Sequence, residues 1–461
     1  MNTKKSSIQM TTGSLWKNLI LFSLPLMMTQ VLEVLFNLSD VAIAGKFADY
    51  IALGAVGSTT LLVSLFTGFL IGMGAGVNVR TAHRLGAGDI EATRKTVHSS
   101  LLVCLLTGIA ACLICLALAE PMLSLLGTKE ELMPSAVLYL RIYSIGMPAT
   151  AIFNFGNGVL SANGETKLPL IFLSIAGVLN VGLNLFFVIV CRRAADGVAI
   201  ASVIAQYLSA ALILIHMFRR KDACGLQFSG EYFERRACGD VFLLGFPAGI
   251  QNAVFAIANL FVQAGVNHFD AVMVSGNSGA ANADTLIFNV LAAIYTACAS
   301  FVSRNRGAGK RSRMMKSYLI SLLYSFATGA ILGGLLLIFG RQFMSLFAND
   351  PEVIEAGLQR ISIMGWSYCL AGLMDCTIAA SRGIGKTVAP TIIVLIGSCV
   401  FRVAWVYTIF AYFETIPSLY LLYSFSWGLT GIAEIIYFVA ACRKQTRSMP
   451  PEDEAFPQQA A

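Results

Sequence analysis

Apolar runs long enough to cross a membrane follow one another along most of this 461-residue chain, broken only by short polar stretches. A spanning helix needs about 20 consecutive apolar residues. Lipid admits only helices or closed barrels, because it offers the backbone no hydrogen-bond partners. The runs do not alternate in the ~10-residue pattern of membrane β-strands. Apolar residues make up 57% of the chain and charged residues 12%, about half the roughly 25% charge of a soluble domain. Twelve spans are expected, near 17–42, 51–79, 96–118, 135–160, 169–191, 197–218, 240–266, 279–303, 317–339, 356–381, 389–412 and 419–442. The fold class is therefore an all-α integral membrane protein.

The two halves of the chain read as copies. Gly86-Ala87-Gly88 returns as Gly307-Ala308-Gly309, and Gly164-Glu165-Thr166 with Pro169 returns as Gly385-Lys386-Thr387 with Pro390, both at an offset of 221. Pro25 maps to Pro247 at 222, and Arg141-Ile142 to Arg360-Ile361 at 219. A repeat of this length is far beyond solenoid periods, and in an apolar chain it marks a transporter whose halves enclose a site. The division falls at 1–228 (spans 1–6) and 229–461 (spans 7–12). A basic linker, Arg219–Arg236, joins the halves and is expected to leave them free to move. A polar tail covers 443–461, and Ser448–Ala461 is expected to be disordered from its Pro, Gln and acidic content.

Basic residues set the orientation. With both termini placed inside, 24 of the 32 Lys and Arg residues fall on the cytoplasmic side, as the positive-inside rule requires. Arg192-Arg193 opposes the trend in a very short outer loop. The net charge of +7 needs only anionic inner-leaflet lipid to account for it, and no nucleic acid. Met1–Ser14 is polar and precedes a run of full spanning length, so the first span is read as retained rather than cleaved. The expected location is the cell inner membrane, multi-pass.

Three motifs carry less than they suggest. Cys112 and Cys115 form a CxxC inside an apolar helix, where packing is the better reading. Gly383-Ile384-Gly385-Lys386-Thr387 resembles the end of a phosphate-binding loop, but Ala380 stands at the first required glycine and no strand precedes it. It reads as a tight turn, so transport must draw on an ion gradient, H⁺ or Na⁺, and no cofactor is expected. His83, His98, His216 and His268 are scattered near span ends. A membrane-embedded enzyme would need a catalytic pair or metal ligands at membrane depth, and the chain is read as a non-enzyme.

Ionisable and amide side chains inside spans are functional candidates by default. Glu33, Asn37 and Asp40 sit at i, i+4 and i+7, within an arc of roughly 60° on span one. Pro25 frees the carbonyl of Leu21, and a bend is expected there. A carboxyl in a low-dielectric cavity can carry a proton. With nearby carbonyls it can equally hold Na⁺, so Na⁺ at Asp40 is one possible metal site. Asn180 and Asn184 form an i, i+4 amide pair on span five, either helping the ion site or binding helices together. An offset of 222 takes Asn37 to Asn259, Glu33 to Phe255 and Asp40 to Val262, so coupling through span one belongs to the first half. Asn252, Asn259 and Gln263 form a polar stripe on span seven suited to cargo. Asp284, Asp375, Arg402 and Glu434 are the charges within spans of the second half. Asp284 is read as near water at an outer helix end. Asp284, Asp375 and Arg402 are candidates for the cargo cavity; a buried Arg402 needs a carboxylate, with Asp375 or Glu434 as its expected partner, and a structural ion pair is preferred over substrate contact.

Several of these stretches carry a family resemblance. Pro25, Asp40-Val41-Ala42-Ile43-Ala44-Gly45 and Ala52-Leu53-Gly54-Ala55-Val56-Gly57-Ser58 resemble the first two spans of the multidrug and toxic compound extrusion (MATE) family. So do Gly86-Ala87-Gly88-Asp89, Asn305-Arg306-Gly307-Ala308-Gly309-Lys310 and Arg382-Gly383-Ile384-Gly385-Lys386-Thr387 with Pro390, and the likeness covers nearly all of 15–442. The resemblance implies two pseudo-symmetric six-helix lobes flanking a cavity. It implies an antiporter exporting small organic cations or amphipathic drugs against H⁺ or Na⁺ by alternating access, acting as a monomer. The family aspartate of helix one falls on Asp40. A second acid, on helix five, falls on Asn184, and one on helix seven falls on Phe255. The nearest rival is a lipid-linked oligosaccharide flippase of the same wider superfamily, from which more basic residues within spans would be expected.

Overall fold

The computed structural model describes residues 7–48, 50–227 and 230–447. The tail from Ser448 onward lies outside them, as do residues 228 and 229, where the halves were divided. Among the described residues the regular structure is entirely helical. The helices are α1 Leu15–Phe47, α2 Tyr50–Gly86, α3 Ile90–Leu125, α4 Met133–Ile145, α5 Met147–Ala162, α6 Lys167–Leu185, α7 Ala195–Arg219, α8 Arg235–Val266, α9 Ala271–Gly307, α10 Arg311–Met344, α11 Pro351–Gly383, α12 Val388–Val394, α13 Phe401–Trp405, α14 Ala411–Phe413 and α15 Ile416–Arg447. Helices α12 to α14 are one span, linked by wider-wound turns at Leu395–Val400 and Val406–Phe410. Among the described residues eleven helices are long and apolar enough to cross a membrane, and α4 with α5, bent by 43°, makes up to a twelfth when the pair is taken as one span. The bend follows from Pro148, which lacks an N–H and cannot continue the ladder of α4.

The duplication persists in backbone detail. Gly88 and Gly309 close α2 and α9 at φ 71° and 69°, and Gly164 and Gly385 close α5 and α11 at φ 86° and 77°. Left-handed glycines of this kind end helices cheaply. The Gly383–Thr387 stretch is thus the cap of α11, with the Lys386 amide donating to the Ser381 carbonyl at 2.9 Å. Wider-wound π turns at Phe186–Val190 and Val406–Phe410 lie 220 residues apart. Each is followed by a left-handed non-glycine residue, Arg192 (φ 53°) or Glu414 (φ 47°).

By packing, the chain divides into two units that differ from its sequence halves. The first holds residues up to Ile8 and Met28–Ala253; the second holds Gln9–Met27 and everything from Val254. Helices α1 and α8 therefore each belong to both units, α1 changing membership just past Pro25. In the first unit, α2 packs on α5 where a Cβ on Gly158 would lie 2.6 Å from the Gly74 carbonyl. It packs on α8 where a Cβ on Gly72 would lie 2.3 Å from the Gly249 nitrogen. Small residues allow such approach in lipid, where packing rather than the hydrophobic effect joins helices. In the second unit a core of Met364, Tyr368, Met374, Tyr420, Tyr423 and Trp427 fills the space between α11 and α15.

The described stretch of the linker up to Gln227 is held by specific contacts. Arg220 donates to Glu165 at 2.6 and 2.9 Å and also pairs with Asp222. Burial would raise the Asp222 carboxyl, but the Arg220 guanidinium outweighs it and holds Asp222 below the usual carboxylate range. The Gln227 amide donates to His98 Nε2 at 3.0 Å, and Cys224 and Leu226 are buried. The segment up to Gln227 is docked on the first unit by these contacts.

Gly333 and Gly334 are adjacent on α10 yet differ in what surrounds them. A Cβ on Gly333 would lie 2.0 Å from the Gly365 carbonyl of α11, whereas one on Gly334 meets nothing within 4 Å. Gly333→Ala is expected to destabilise the protein by about 1–3 kcal/mol through overpacking. Gly334→Ala should be neutral or add about 0.5–1 kcal/mol by helix propensity. Thermal unfolding of the two purified variants in detergent checks the pair; equal midpoints would refute the close α10–α11 contact.

Candidate ion and cargo sites

In the first unit, Asp40 on α1 meets α6 and α7. It is 8% exposed. Asn184 Nδ2 donates to its Oδ1 at 2.5 Å, and Ser202 Oγ donates to its Oδ2 at 3.0 Å. Asn180 Nδ2 donates to Ser202 Oγ at 3.3 Å, and Asn184 Nδ2 also reaches Asn180 Oδ1 at 3.4 Å. The i, i+4 spacing of the two asparagines puts both amides on the face of α6 turned to Asp40. Among the described residues no Lys, Arg or His lies within ion-pair distance of Asp40. The Asn184 Oδ1 is buried without a hydrogen-bond partner. Asp40 is therefore held by N–H and O–H donors from two helices, with the Asn184 oxygen left without a partner beside it, a setting in which the carboxyl can take up a proton or a cation.

The other two candidates of span one stand apart. Asn37 is exposed and Glu33 only partly buried, and neither bonds to the Asp40 group. Ser202 was not among the residues singled out; its one signal is that an offset of 222 takes it to another serine, Ser424.

The second unit holds two buried arginines. Arg360 on α11 pairs with Asp284 on α9 and also donates to Asn277 Oδ1. The Tyr368 hydroxyl donates to Asp284, and the Tyr420 hydroxyl reaches Asn277 Oδ1 at 2.8 Å. Asp284 is thus no water-facing group at a helix end, as expected from position alone, but the counter-ion of a neighbouring helix. Asn277 Nδ2 reaches Gln263 Oε1 at 3.3 Å, and Gln263 Nε2 donates to Asn267 Oδ1 at 2.9 Å, which ties Gln263 of the polar stripe into the same group. Asn252, by contrast, donates to the Gly68 carbonyl at 3.0 Å within the first unit, a helix-to-helix bond.

Arg402 corrects a second expectation. It pairs with neither Asp375 nor Glu434. Its Nε donates to Ser426 Oγ at 3.2 Å and its Nη1 to Asn259 Oδ1 at 3.1 Å. Its guanidinium lies 4.6 Å from the Tyr423 ring centroid, 5.6 Å from Trp427 and 5.7 Å from Phe255. Each such cation–π contact contributes about 0.5–2 kcal/mol, so aromatic faces stand where a carboxylate was anticipated. Asp375 is partly buried on α11 and forms no ion pair. Both carboxylate oxygens of Glu434 are buried without hydrogen-bond partners.

Breaking a buried pair by removing one partner costs about 3–5 kcal/mol, because the other charge stays buried alone. Asp284→Asn should destabilise by that order, and adding Arg360→Met should recover most of the loss. Thermal unfolding of both variants tests this; a double variant no more stable than Asp284→Asn would dismiss the pair as a stabilising unit.

The MatE family model matches residues 25–186 and again 247–408, so each half of the chain carries its own copy. A probable multidrug resistance protein of Bacillus subtilis (strain 168), YpnP, is 27% identical over 85% of this chain and 88% of its own length. An FAD transporter of Shewanella oneidensis is 25% identical over 69% of this chain and 72% of its own length. Among solved structures, a MOP superfamily transporter from Pyrococcus furiosus superposes with a TM-score of 0.89 at 19% identity, covering 96% of this chain and 99% of that one. With both halves matched and twelve spans in the fold of these transporters, the chain belongs to the MatE family of multidrug and toxic compound extrusion transporters.

Proposed function

We propose that this chain is a secondary antiporter exporting organic cations or amphipathic drugs and metabolites in exchange for H⁺ or Na⁺, by alternating access of two lobes. It acts as a monomer in the cell inner membrane with both termini in the cytoplasm. The observation that carries the reading is Asp40: a carboxylate inside a span, held by Asn184 and Ser202 with no cation beside it. Such a group is expensive to leave charged and unpaired in a low dielectric. A coupling ion relieves that cost in one state and leaves in the other, which ties ion passage to conformation. Relatives named for multidrug resistance and for FAD support small organic cargo.

Asp40→Asn keeps shape and removes the titratable charge. It should reduce gradient-driven dye efflux by at least about tenfold, the scale of one lost charge-assisted interaction, with expression and most cargo binding kept. Asn184→Ala and Ser202→Ala should weaken efflux less, and exposed Asn37→Ala least. Efflux from reconstituted vesicles, driven separately by a pH gradient and a Na⁺ gradient, identifies the ion. Wild-type efflux in Asp40→Asn, with normal gradient dependence, would remove Asp40 from the mechanism.

A further inference from the structure

We infer that Arg402 is an anion-binding point in the second unit, taking the carboxylate or phosphate of an aromatic organic cargo. The inference rests on the reading of the chain as an exporter of small molecules and, within it, selects amphipathic cargo that carries an acid group over simple organic cations.

Arginine stays charged in proteins, so a buried guanidinium keeps a full positive charge that something must balance. Arg402 is 2% exposed, on the span formed by α12 to α14. Its two hydrogen-bond partners, Asn259 and Ser426, are neutral, and so are the three rings around it. The same unit supplies a control. Arg360 is 6% exposed and makes the same kinds of contact, an amide oxygen and the Tyr420 ring at 5.2 Å, but it also has Asp284. Arg402 has every element of that arrangement except a carboxylate in contact, since Asp375 acts on it only from beyond ion-pair distance. Among the described residues no Asp or Glu lies within ion-pair distance of it.

The surroundings also say how an anion would arrive. Asn259 is exposed and Phe255 partly exposed, while Tyr423 and Trp427 are buried. The guanidinium is therefore closed by the α15 rings and reached from the α8 side. An arriving oxyanion exchanges the Asn259 oxygen for a charged one, and the freed amide, already at the surface, recovers other partners. A carboxylate or phosphate accepts paired guanidinium N–H groups with far better geometry than a single amide oxygen. The half-open Phe255 ring beside it favours cargo with a flat aromatic body.

Three probes that share a naphthalene ring and differ in the charge of the group it carries test this on the purified full chain by equilibrium dialysis: 1-naphthyl phosphate, 1-naphthalenemethanol and 1-naphthylmethylammonium. The phosphate should bind at least about tenfold tighter than the alcohol, the scale of a charge-assisted hydrogen bond. Arg402→Gln should erase the difference and Arg402→Lys should keep part of it. Asn259→Asp provides an internal carboxylate at the position of an oxygen already bonded to the guanidinium. It should raise thermal stability and bring phosphate binding down to that of the alcohol. Equal binding of the three probes to wild type, or undiminished phosphate binding in Asn259→Asp, overturns the proposal even if Arg402→Gln fails to fold. Displacement of 1-naphthyl phosphate by phosphatidylglycerol but not phosphatidylcholine nanodiscs, dependent on Arg402, would assign the site to lipid and overturn the cargo reading. Anion binding without gradient-driven efflux would sink the antiporter and leave this site standing; efflux without anion preference would do the reverse.

Discussion

Lipid supplies neither hydrogen bonds nor counter-ions, and nearly every feature of this protein answers that deficit. The backbone satisfies itself by remaining helical, and where helices must touch, glycines let them approach until backbone meets backbone, as at Gly333 and Gly365. Side-chain charges obey the same accounting. Inside the second unit Arg360 finds Asp284. Against that rule the exceptions stand out: Asp40 has only neutral donors, Arg402 has only neutral oxygens and rings, and Glu434 has no hydrogen bond at all. The unbalanced groups are where function is sought, because a transported species can supply what the protein withholds.

The two copies of the repeat have diverged at these groups rather than in the backbone. Helix caps, left-handed residues and π turns still correspond at offsets of 220 to 222. An offset of 222, the spacing between the two family matches, carries Asp40 onto Val262, a core residue of the second unit. It carries Asn37 onto Asn259, which binds Arg402, and Asn180 onto Arg402 itself. One copy has thus placed an acid among amides and hydroxyls, and the other a base among aromatic rings. Duplication kept the scaffold and inverted the sign of its buried charge.

Much of this was legible before any coordinates. The twelve runs and the glycine turns follow from local chemistry that leaves marks at fixed spacing, whereas the break of the fourth span beside Pro148 is visible only in the structure. Asp40, Asn180 and Asn184 were visible because polar groups are rare in spans. Ser202 was not, since a serine in a span ordinarily bonds its own helix and carries no distinguishing mark. Helical spacing put Glu33, Asn37 and Asp40 on one arc, but it cannot say which edge of an arc turns inward, and only Asp40 is buried. The Arg360–Asp284 pair and the aromatic shell of Arg402 depend on side chains from separate helices. No local pattern announces them.

The sharing of α1 and α8 between the two packing units has a meaning in time as well as in space. A chain is synthesised from its N-terminus, yet the first unit is complete only when residues 235–253 have appeared, bringing Asp240 to Arg80 and Gly249 to Gly72. The opening stretch of α1 waits longer still. Phe22 packs edge-on against Phe301 at 5.5 Å, and Trp16 against Tyr324 at 5.4 Å. Some of the earliest residues to enter the membrane are therefore held in reserve until about two thirds of the chain has followed them, and the first helix cannot finish its packing before the tenth exists.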